Sequence, residues 1–424
     1  MSVVAGSETP PRARLPRLLA GLRADRSPAS LDEHLAAYGS VPIHRGARLI
    51  DLVEESGLTG RGGAGFPAAT KLRAVAAQRG RKFVVANGTE GEPLSRKDKL
   101  LLGCVPHLVL DGATLAAAAV GADEVVVAVG RSALREHAAL TQAVAERVSA
   151  GVDRVRVQVA ATPDGFVVGE ETALLSALSG RAAKPTLAPP RPFERGLQGR
   201  PTLVQNVETL AHLALVARHG PEWFRELGTE AEPGSALVTL SGAVAWPGVY
   251  EIGLGMQLRE LVAWAGGATE PAGAYLVGGY FGSWVAAADA ERAALLGSAL
   301  APLGASLGAR TIFALPARVC GIVETASLAR YLADESAGQC GPCVHGLAAI
   351  ADGLERLARA ESADVPKIGR WLEQVRGRGA CRHPDGIARL VASALEVFAA
   401  EVELHATGRC SGDGQLLLPT GTAG

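Results

Sequence analysis

The stretch from Gly57 to Pro67 contains five glycines in eleven residues, a density that favours an open loop over a regular element. Glycine accepts positive φ and lets a ligand come close to main-chain N–H groups. A loop of this kind that runs into a helix can direct several amides at a phosphate, and Arg61 and Lys71 are nearby cations. The alternative is a flexible turn between two helices. The composition favours the phosphate cradle, but it leaves open which phosphate compound binds.

The length and composition of the 424 residues limit the kind of protein this can be. The length suggests two to four domains, and with only 4% aromatic residues the cores must consist mostly of Ala, Val and Leu. A net charge of −1 offers no basic excess for a general nucleic-acid binder, so no nucleic-acid partner is expected.

The hydropathy pattern gives no sign of a membrane protein. A run of about 18 apolar residues, as a membrane span requires, is not found, and Leu108–Ala122 is shorter and contains Asp111. The N-terminal region has no apolar core of signal-peptide length. We therefore expect a cytoplasmic protein without direct membrane insertion.

Strand-like and helix-like segments alternate through the first half of the chain, which is typical of a layered α/β domain. The predicted strands and helices include Phe83–Ala86, Val105–Gly121, Glu124–Val129, Ser132–Ala150 and residues 155–159. The polar turn 87–93 follows the first of these strands. Ligands bind at the carboxyl ends of such strands, so this turn is expected to meet the same ligand as the glycine loop. Residues 184–200 form a Pro/Gly-rich excursion, interpreted as a lid or a surface wrap.

The second half of the chain divides into two further patterns. Near Glu230–Gly234 the composition shifts, and a strand–turn–strand–helix–strand pattern predicts a small α+β module of about a hundred residues. Beyond it, apolar stripes at helical spacing, such as Leu347, Ile350 and Leu354, predict about four amphipathic helices in a small bundle.

The cysteines of the C-terminal region indicate a metal site. Cys340 and Cys343 form a Cys-Gly-Pro-Cys sequence, and Cys381 lies further along the same region. Such a pair can be a redox dithiol, half of a zinc site or part of an iron–sulfur site. Three cysteines in one bundle favour a metal. Cys104 and Cys320 lie in apolar helical contexts and are predicted to be core thiols.

Five motifs in a fixed order resemble the NADH-binding flavoprotein subunit of respiratory complex I and the related diaphorase subunits of NAD-linked hydrogenases and formate dehydrogenases. The resemblance covers roughly residues 45–405 and rests on these segments: Gly60-Arg61-Gly62-Gly63-Ala64-Gly65-Phe66, Asn87 with Glu90-Gly91-Glu92-Pro93, Gly169-Glu170-Glu171-Thr172, Asn206-Val207-Glu208-Thr209, and Glu335-Ser336 with Gly338, Cys340, Pro342 and Cys343.

The resemblance implies an α/β FMN-binding domain, a small α+β β-grasp domain of the soluble-ligand-binding type and a C-terminal four-helix iron–sulfur domain. The division expected on this basis is a mobile N-terminal arm at 1–40, the FMN/NADH-binding domain at 41–230, the β-grasp domain at 231–316, the helical-bundle domain at 317–406 and a tail at 407–424.

The resemblance also implies the cofactor contacts. FMN is expected against Gly60, Arg61, Gly62, Gly63, Lys71, Asn87, Glu90, Gly169, Glu170, Glu171, Gln205 and Asn206. NADH is expected beside it, with Phe66, Glu92, Glu171 and Phe193 as contacts. A 4Fe-4S cluster is expected on Cys340, Cys343 and Cys381. No side-chain acid or base is needed for hydride transfer to a flavin, so no catalytic residue is nominated.

Three departures from the family pattern bear on the function. Ala337 stands where the family has a cysteine ligand, and Cys410, Ser336, His345 and His383 are candidate substitutes for the missing ligand. Thr89 stands where the family has Asp, which removes a carboxylate beside the expected nucleotide site. The segment 190–193 is rearranged and shortened.

We therefore expect an oxidoreductase that moves electrons between NAD(P)H and an iron–sulfur acceptor through FMN, with a ferredoxin-like or other iron–sulfur protein as partner. The alternative is an electron-relay or docking subunit of the same fold that has lost nicotinamide oxidation, a hypothesis motivated by Thr89 and Ala337. A zinc-binding structural protein is a third possibility, but it leaves the glycine loop unexplained.

Overall fold

A four-stranded parallel sheet lies at the centre of the first half of the protein, in a computed structural model that describes residues 15–42, 46–361 and 363–421. The strand order is β3-β2-β1-β4. The strands are β1 (Phe83–Gly88), β2 (Glu124–Gly130), β3 (Arg156–Thr162) and β4 (Thr202–Asn206). The two central strands are Val-rich and buried on both faces, as expected where helices cover both sides of a parallel sheet.

Nine helices accompany this sheet within the described residues, and the longest ones pack on one of its faces. They are α1 (Leu31–Tyr38), α2 (Gly46–Ser56), α3 (Ala68–Ala76), α4 (Lys97–Cys104), α5 (Pro106–Val120), α6 (Leu134–Ser149), α7 (Glu171–Leu178), α8 (Pro192–Arg195) and α9 (Val207–Arg225). Successive residues of β1 point to opposite faces of the sheet. Val84 joins the large core under α5 and α9, whereas Val85 joins a smaller core under α7.

A second sheet of five strands follows, with the order β6-β5-β9-β7-β8. Its strands are β5 (Ser235–Gly242), β6 (Gly248–Gly253), β7 (Ala272–Val277), β8 (Ser283–Ala286) and β9 (Thr311–Pro316), accompanied by α10 (Leu258–Trp264), α11 (Ala287–Ala290) and α12 (Gly297–Leu300). The pairing of β5 with β9 is parallel, and the other three pairings are antiparallel.

The C-terminal region is helical and shares a core with the second sheet. Its helices are α13 (Gly321–Asp334), α14 (Ala348–Ala358), α15 (Val365–Val375), α16 (His383–Val397) and α17 (Ala399–Ala406), with a π-helical turn at Pro342–Leu347. Leu276 and Leu315 from the sheet and Leu328 and Leu390 from the helices belong to one buried cluster. The two regions are therefore joined by apolar burial, the largest favourable contribution to folding.

The N-terminal segment is anchored where a mobile arm was expected. Leu18 is fully buried, and the main-chain N–H groups of Arg17, Leu18 and Leu19 donate to the buried carboxylate of Glu251 at 2.8 to 3.3 Å. The expectation for residues 1–40 is thus corrected for residues 15–40, and residues 1–14 lie outside the described part of the chain.

Two other features differ from the sequence interpretation. The stretch before α9 was not among the predicted strands, but it contains β4, an edge strand paired with β1. The excursion at 184–200 includes the short helix α8. Among the described residues, no single helix has the length and hydropathy of a membrane span; one pair, α4 and α5, meets those criteria jointly but bends by 96° between its members.

Candidate functional site

The glycine loop closes on itself and then begins α3. The N–H of Gly60 donates to the carbonyl of Phe66 at 2.8 Å, and Gly63 and Gly65 have φ of +119° and +63°. A side chain is strained at these two angles, so the loop shape requires glycine there. At Gly62 the restriction is steric, because an added Cβ would lie 3.1 Å from the Cβ of Asn206. The loop therefore lies directly against the carboxyl end of β4.

Arg61 does not supply the cation that the sequence suggested. Its side chain is buried, and its guanidinium donates to Thr59 Oγ1 at 2.9 Å and faces the carbonyls of Pro233 and Ser235 at 3.4 and 3.2 Å. Burial lowers the pKa of Arg61 to about 9. Arg61 thus ties the loop to the start of the second sheet, and only its main chain belongs to the loop surface.

Lys71 remains as the cation of this site. Its Nζ lies 3.2 Å from Glu171 Oε1 at the start of α7 and donates to the carbonyl of Val204 in β4 at 3.3 Å. Both charged side chains are about one-third exposed. Three elements therefore meet at this ion pair, and it stays open to solvent.

The end of β1 is held by a second set of contacts. Asn87 donates from Nδ2 to the carbonyl of Gly169 at 2.9 Å, and its Oδ1 accepts from the Thr89 hydroxyl at 2.7 Å. Glu170 is the N-cap of α7, where its carboxylate accepts from the N–H groups of Thr172 and Ala173. The motif beginning at Gly169 thus packs against the carboxyl end of β1.

Glu90 and Glu92 both bind main-chain amides, and each joins two parts of the chain. Glu90 has φ of +37° and accepts from the N–H groups of Asp98 and Lys99, which fixes the start of α4. Glu92 accepts from the N–H of Tyr280 at 2.9 Å, across to the loop after β7. Burial raises the pKa of Glu92 to about 7. The sequence assigned both to nucleotide contacts, and the structure shows them engaged with amides.

Gln205 and Asn206 end β4 beside the glycine loop. Gln205 is buried, and its Nε2 has no hydrogen-bond partner among the described residues. Asn206 caps α9 through Oδ1 and donates from Nδ2 to Asp98 Oδ2 at 2.7 Å. A buried donor without a partner is costly, and a ligand acceptor would remove that cost.

A buried network that the sequence analysis missed lies behind these residues. Lys97 Nζ contacts Asp98 Oδ1 at 2.7 Å and Glu208 Oε2 at 2.9 Å. Arg310, from the loop before β9, faces the carbonyl of Gly60 at 3.5 Å, and its Nε and Nη1 have no partner within the described residues. Glu208 belongs to a motif the sequence singled out. Arg310 gave no local signal, because it reaches the loop from 250 residues away.

Two aromatic side chains were expected beside the nucleotide, and they differ in exposure. Phe66 is 47% exposed at the end of the glycine loop. Phe193, in α8, is partly buried against the core of the first half of the protein. An exposed aromatic ring on a rigid loop is a suitable platform for stacking a base, and Phe66 meets this description.

A cleft opens at the carboxyl ends of β1 and β2. It encloses about 420 Å³, including space open to solvent, and its lining includes Thr89, Glu90, Glu92, Gly130 and Asp164. This is the edge at which parallel sheets bind ligands.

The residues present fit a flavin mononucleotide. The loop exposes Gly62 and Gly63 to solvent, Lys71 provides a solvent-accessible cation, and Gln205 provides a buried donor without a partner among the described residues. Arg310 adds two further buried N–H groups without partners among the described residues. A phosphate and a hydrogen-bonding ring system are the chemistry that such a donor set matches.

The three predicted cluster ligands come together between α13 and α16. Cys340 Sγ and Cys343 Sγ are 3.5 Å apart, and Cys381 is close enough for its charge to affect Cys343. Burial raises the pKa of Cys343 to about 11. It acts in the same direction on Cys340, but the N–H groups of Ala380 and Cys343 outweigh it and hold the Cys340 pKa below its usual value. Soft thiol donors in this spacing fit an iron–sulfur cluster.

Ala337, at the position where a fourth cysteine ligand is expected, packs against apolar side chains. Ala337 is buried and forms a small cluster with Val167, in the turn before α7, and Ala173, in the first turn of α7. The nearby Glu335 accepts from the N–H of Phe166 at 2.7 Å. The segment bearing Ala337 therefore lies against the same element that carries Glu170 and Glu171.

The candidate substitutes for a fourth ligand have different surroundings. His345 is exposed. His383 is buried, donates from Nε2 to the Leu332 carbonyl at 2.6 Å and keeps Nδ1 without a partner among the described residues. Cys410 is grouped with Cys320, away from the three cluster thiols. Ser336 is partly buried, and no side-chain contact marks it as a ligand.

Comparison with known proteins follows the same three regions. The model of the Nuo51 FMN-binding domain matches residues 53–215, that of the SLBB domain residues 237–279, and that of the NADH-ubiquinone oxidoreductase-F iron–sulfur binding region residues 324–405.

Two curated relatives match over most of this chain and most of their own length. An F-type subunit of the NADH-quinone oxidoreductase of Rhizobium meliloti is 32% identical over 372 residues, 84% of this chain and 88% of that protein. The F-type subunit of the NADH-quinone oxidoreductase of Streptomyces coelicolor is 33% identical over 376 residues, 85% and 83% of the two chains.

Two solved structures superpose on most of this chain. A crystal structure of NAD+-reducing NiFe-hydrogenase in the air-oxidized state superposes with a TM-score of 0.82 at 32% identity, over 92% of this chain and 67% of that one. In the H2-reduced state the TM-score is 0.79 at 31% identity, over 85% of this chain, which spans 63% of that chain's length.

The fold and the site define an FMN-dependent oxidoreductase with an iron–sulfur region, which confirms the cofactors predicted from sequence. The chain belongs to the family of the NADH-binding flavoprotein subunit of complex I and the related hydrogenase diaphorases. It is accordingly an NADH dehydrogenase-type flavoprotein that transfers electrons to iron–sulfur centres.

Proposed function

We propose that this protein takes electrons from a nicotinamide nucleotide at FMN bound beside the glycine loop and passes them to a cluster on Cys340, Cys343 and Cys381. A separate iron–sulfur protein then receives them. The observation that carries this proposal is the position of α7. Its first turn offers Glu171 to Lys71 at the flavin site, while Ala173 of the same turn and Val167 just before it pack against Ala337 near the cluster cysteines.

When bound, FMN supplies the acceptance of a hydride and the return of single electrons, and the cluster supplies their onward transfer. The chain's own residues bind and orient these groups. The amides at Gly62 and Gly63 hold the phosphate, and Lys71 neutralises it. Gln205 Nε2 and the two unpartnered N–H groups of Arg310 donate to the ligand. Phe66 stacks on the adenine of the nucleotide.

Asn87, Glu90, Glu170 and Asn206 act mainly as positioning residues. Each fixes a strand end or a helix start that borders the site, through the amide contacts described above. Glu92 holds the loop after β7 against the same edge. Fixed surroundings of this kind bind a rigid ring with little loss of conformational freedom.

The finer architecture is part of the proposal. We assign the five-stranded sheet and its helices, residues 231–316, to a β-grasp domain, and residues 317–406 to a four-helix iron–sulfur bundle with α17 as an addition. The FMN/NADH domain spans 41–230 and the tail 407–424. The shared core between the second sheet and the C-terminal helices supports a fixed arrangement of the two. We place the protein in the cytoplasm, where reducing conditions keep cluster thiols free.

Anaerobic purification followed by quantitation of flavin, iron and sulfide tests the cofactor assignment. The proposal predicts one FMN per chain and iron and sulfide in equal amounts. Protein that takes up no flavin on reconstitution with FMN would contradict it.

The docking alternative is favoured by one observation, the apolar packing of Ala337 where a cluster ligand is expected. Stopped-flow mixing of the FMN form with NADH separates the two functions. Prompt bleaching of the flavin absorbance supports the oxidoreductase, whereas an unchanged flavin spectrum with a cluster present supports the relay role.

A further inference from the structure

A second group of metal-binding side chains lies at the C-terminal end of the helical region, apart from the three cluster cysteines. It consists of Cys320, Glu401, His405 and Cys410, and we call it the C-terminal cluster. One ligand atom from each residue lies within 4.8 Å of those of the other three. Two thiols, an imidazole and a carboxylate supply the four donors of the types that a tetrahedral zinc site uses.

Three separate parts of the chain bring these side chains together. Cys320 immediately precedes α13, and Glu401 and His405 lie one turn apart on the same face of α17. Cys410 follows a turn at Gly408, which has φ of +79°.

The tail then passes over Cys320 at a glycine. A Cβ on Gly412 would lie 2.6 Å from the main-chain nitrogen of Cys320 and 2.7 Å from its Cβ. This close approach brings the tail, and Cys410 with it, onto the start of α13.

The hydrogen bonds of His405 orient it as a ligand. His405 is fully buried, and its Nδ1 lies 2.9 Å from the carbonyl of Leu357. Because a carbonyl only accepts, Nδ1 carries a proton, and in the neutral ring Nε2 presents a lone pair. Metal-ligating histidines have this arrangement, with the second ring nitrogen donating to a carbonyl or carboxylate.

The lone pair of Nε2 faces two other electron-rich atoms. Cys320 Sγ lies 3.3 Å from Nε2, and Glu401 Oε1 lies 3.2 Å from it. A neutral imidazole nitrogen and a carboxylate oxygen both accept, so their contact requires a shared proton or a cation. Glu401 is further oriented by the tail, since its carboxylate accepts from the N–H and the hydroxyl of Ser411.

We propose that Cys320, Glu401, His405 and Cys410 form a structural site for a divalent zinc-class metal ion, which fastens the C-terminal tail to the helical region. The mixed sulfur, nitrogen and oxygen donor set suits Zn²⁺. Tetrahedral zinc places such ligand atoms roughly 3.3 to 3.8 Å apart, so the contacts at 3.2 and 3.3 Å need little change. On binding, each thiol gives up its proton to solvent and no oxidant is involved.

The fastened tail has contacts beyond the metal. The N–H groups of Leu417 and Leu418 donate to the buried carboxylate of Glu324, and the Tyr280 hydroxyl donates to the carbonyl of Pro419 at 2.5 Å. Leu418 is itself buried in the core shared with the second sheet. A metal at Cys410 therefore secures a strap that covers the junction of two regions.

The test compares the full-length protein, chelator-treated and then titrated with Zn²⁺ alone, with Cys410→Ser. Cys410 is exposed, so this variant is expected to fold. Cys104→Ser is the matched control, because Cys104 is a buried thiol whose Sγ donates to the Arg26 carbonyl at 3.2 Å, a bond that serine can keep. We expect one more equivalent of tightly bound zinc in the wild type and in Cys104→Ser than in Cys410→Ser. Equal zinc in all three overturns the proposal.

Zinc K-edge absorption of the wild type provides a readout independent of any variant. Two sulfur and two nitrogen or oxygen neighbours support the C-terminal cluster as the site. Three sulfur neighbours indicate zinc misplaced on Cys340, Cys343 and Cys381, and overturn it. An intact mass of the reductant-free protein that shows a Cys320–Cys410 disulfide, with no zinc bound, overturns it as well.

Discussion

Lys71 Nζ lies 3.2 Å from Glu171 Oε1, a contact that joins the helix after the glycine loop to the helix that reaches the cluster region. Both side chains are about one-third exposed. An ion pair of this exposure contributes about 0–1 kcal/mol to stability. Its role is therefore better sought in ligand binding than in folding.

Lys71→Met is expected to weaken FMN binding while leaving the fold intact. The variant removes the only cation we assign to the phosphate, so we predict a loss of FMN affinity of at least about tenfold, or about 1.4 kcal/mol. Fluorescence titration of the flavin measures the affinity, and thermal unfolding of the flavin-free protein serves as the control. A lower midpoint of unfolding with unchanged FMN affinity would instead assign Lys71 a structural role.

Phe66→Ala tests the binding of NADH beside the flavin. The ring is 47% exposed at the loop end, and base stacking on an aromatic side chain is worth about 1–3 kcal/mol. We predict a KM for NADH raised by about tenfold or more, with FMN content unchanged. Leu134→Ala, at another exposed apolar side chain, should behave as wild type in steady-state assays. A wild-type KM for Phe66→Ala would exclude the stacking role.

Glu92 should make stability depend on pH. Burial raises its pKa from 4.5 to about 7, so the folded state favours the protonated acid. The contribution of Glu92 to stability is then fully present below pH 4.5 and is lost as the pH rises through about 7.

Glu92→Gln removes this titration, and its amide oxygen can still accept from the Tyr280 N–H. We predict that the free energy of unfolding of the wild type falls relative to Glu92→Gln by roughly 2 kcal/mol between about pH 5 and pH 8. Denaturant unfolding at several pH values measures this difference. A difference that stays constant with pH would show that Glu92 titrates normally in the folded protein.

Ala337→Cys is predicted to strengthen the cluster site. The position lies in the family's ligand motif, and the side chain is buried beside Val167 and Ala173. A fourth thiolate should raise the iron retained per chain after exposure to air, compared with both the wild type and Ala337→Ser. Iron and sulfide quantitation measures the change. If the cysteine variant retains no more iron than the serine variant, position 337 does not face the cluster.

The sequence alone was sufficient for features that depend on local patterns. Four features appear where the residue types predict them: the glycine loop, the strand run 83–86, the helix over 105–121 and the Cys340–Cys343 pair. Each is determined by residues that are close together in the sequence. β4 was missed because its short sequence, Thr202–Asn206, lacks a clear period and forms a strand only by pairing with β1.

Contacts between distant parts of the chain were beyond sequence reasoning. Arg61 turned out to face Ser235 rather than a phosphate, across 174 residues. The N-terminal segment is held by Glu251, 233 residues away from Leu18. Nothing in the local composition of either partner indicates such contacts, because they depend on how the regions pack together.

We propose that the main-chain groups at Gly62 bind the phosphate of FMN, and an FMN titration of the wild type beside Gly62→Ala tests this contact. An added Cβ would lie 3.1 Å from Asn206 and displace the loop, whereas Gly369→Ala, in an open position on α15, provides the control. We expect one FMN per chain for the wild type and Gly369→Ala, and at least about tenfold weaker binding for Gly62→Ala. Equal FMN affinity in all three proteins would contradict it.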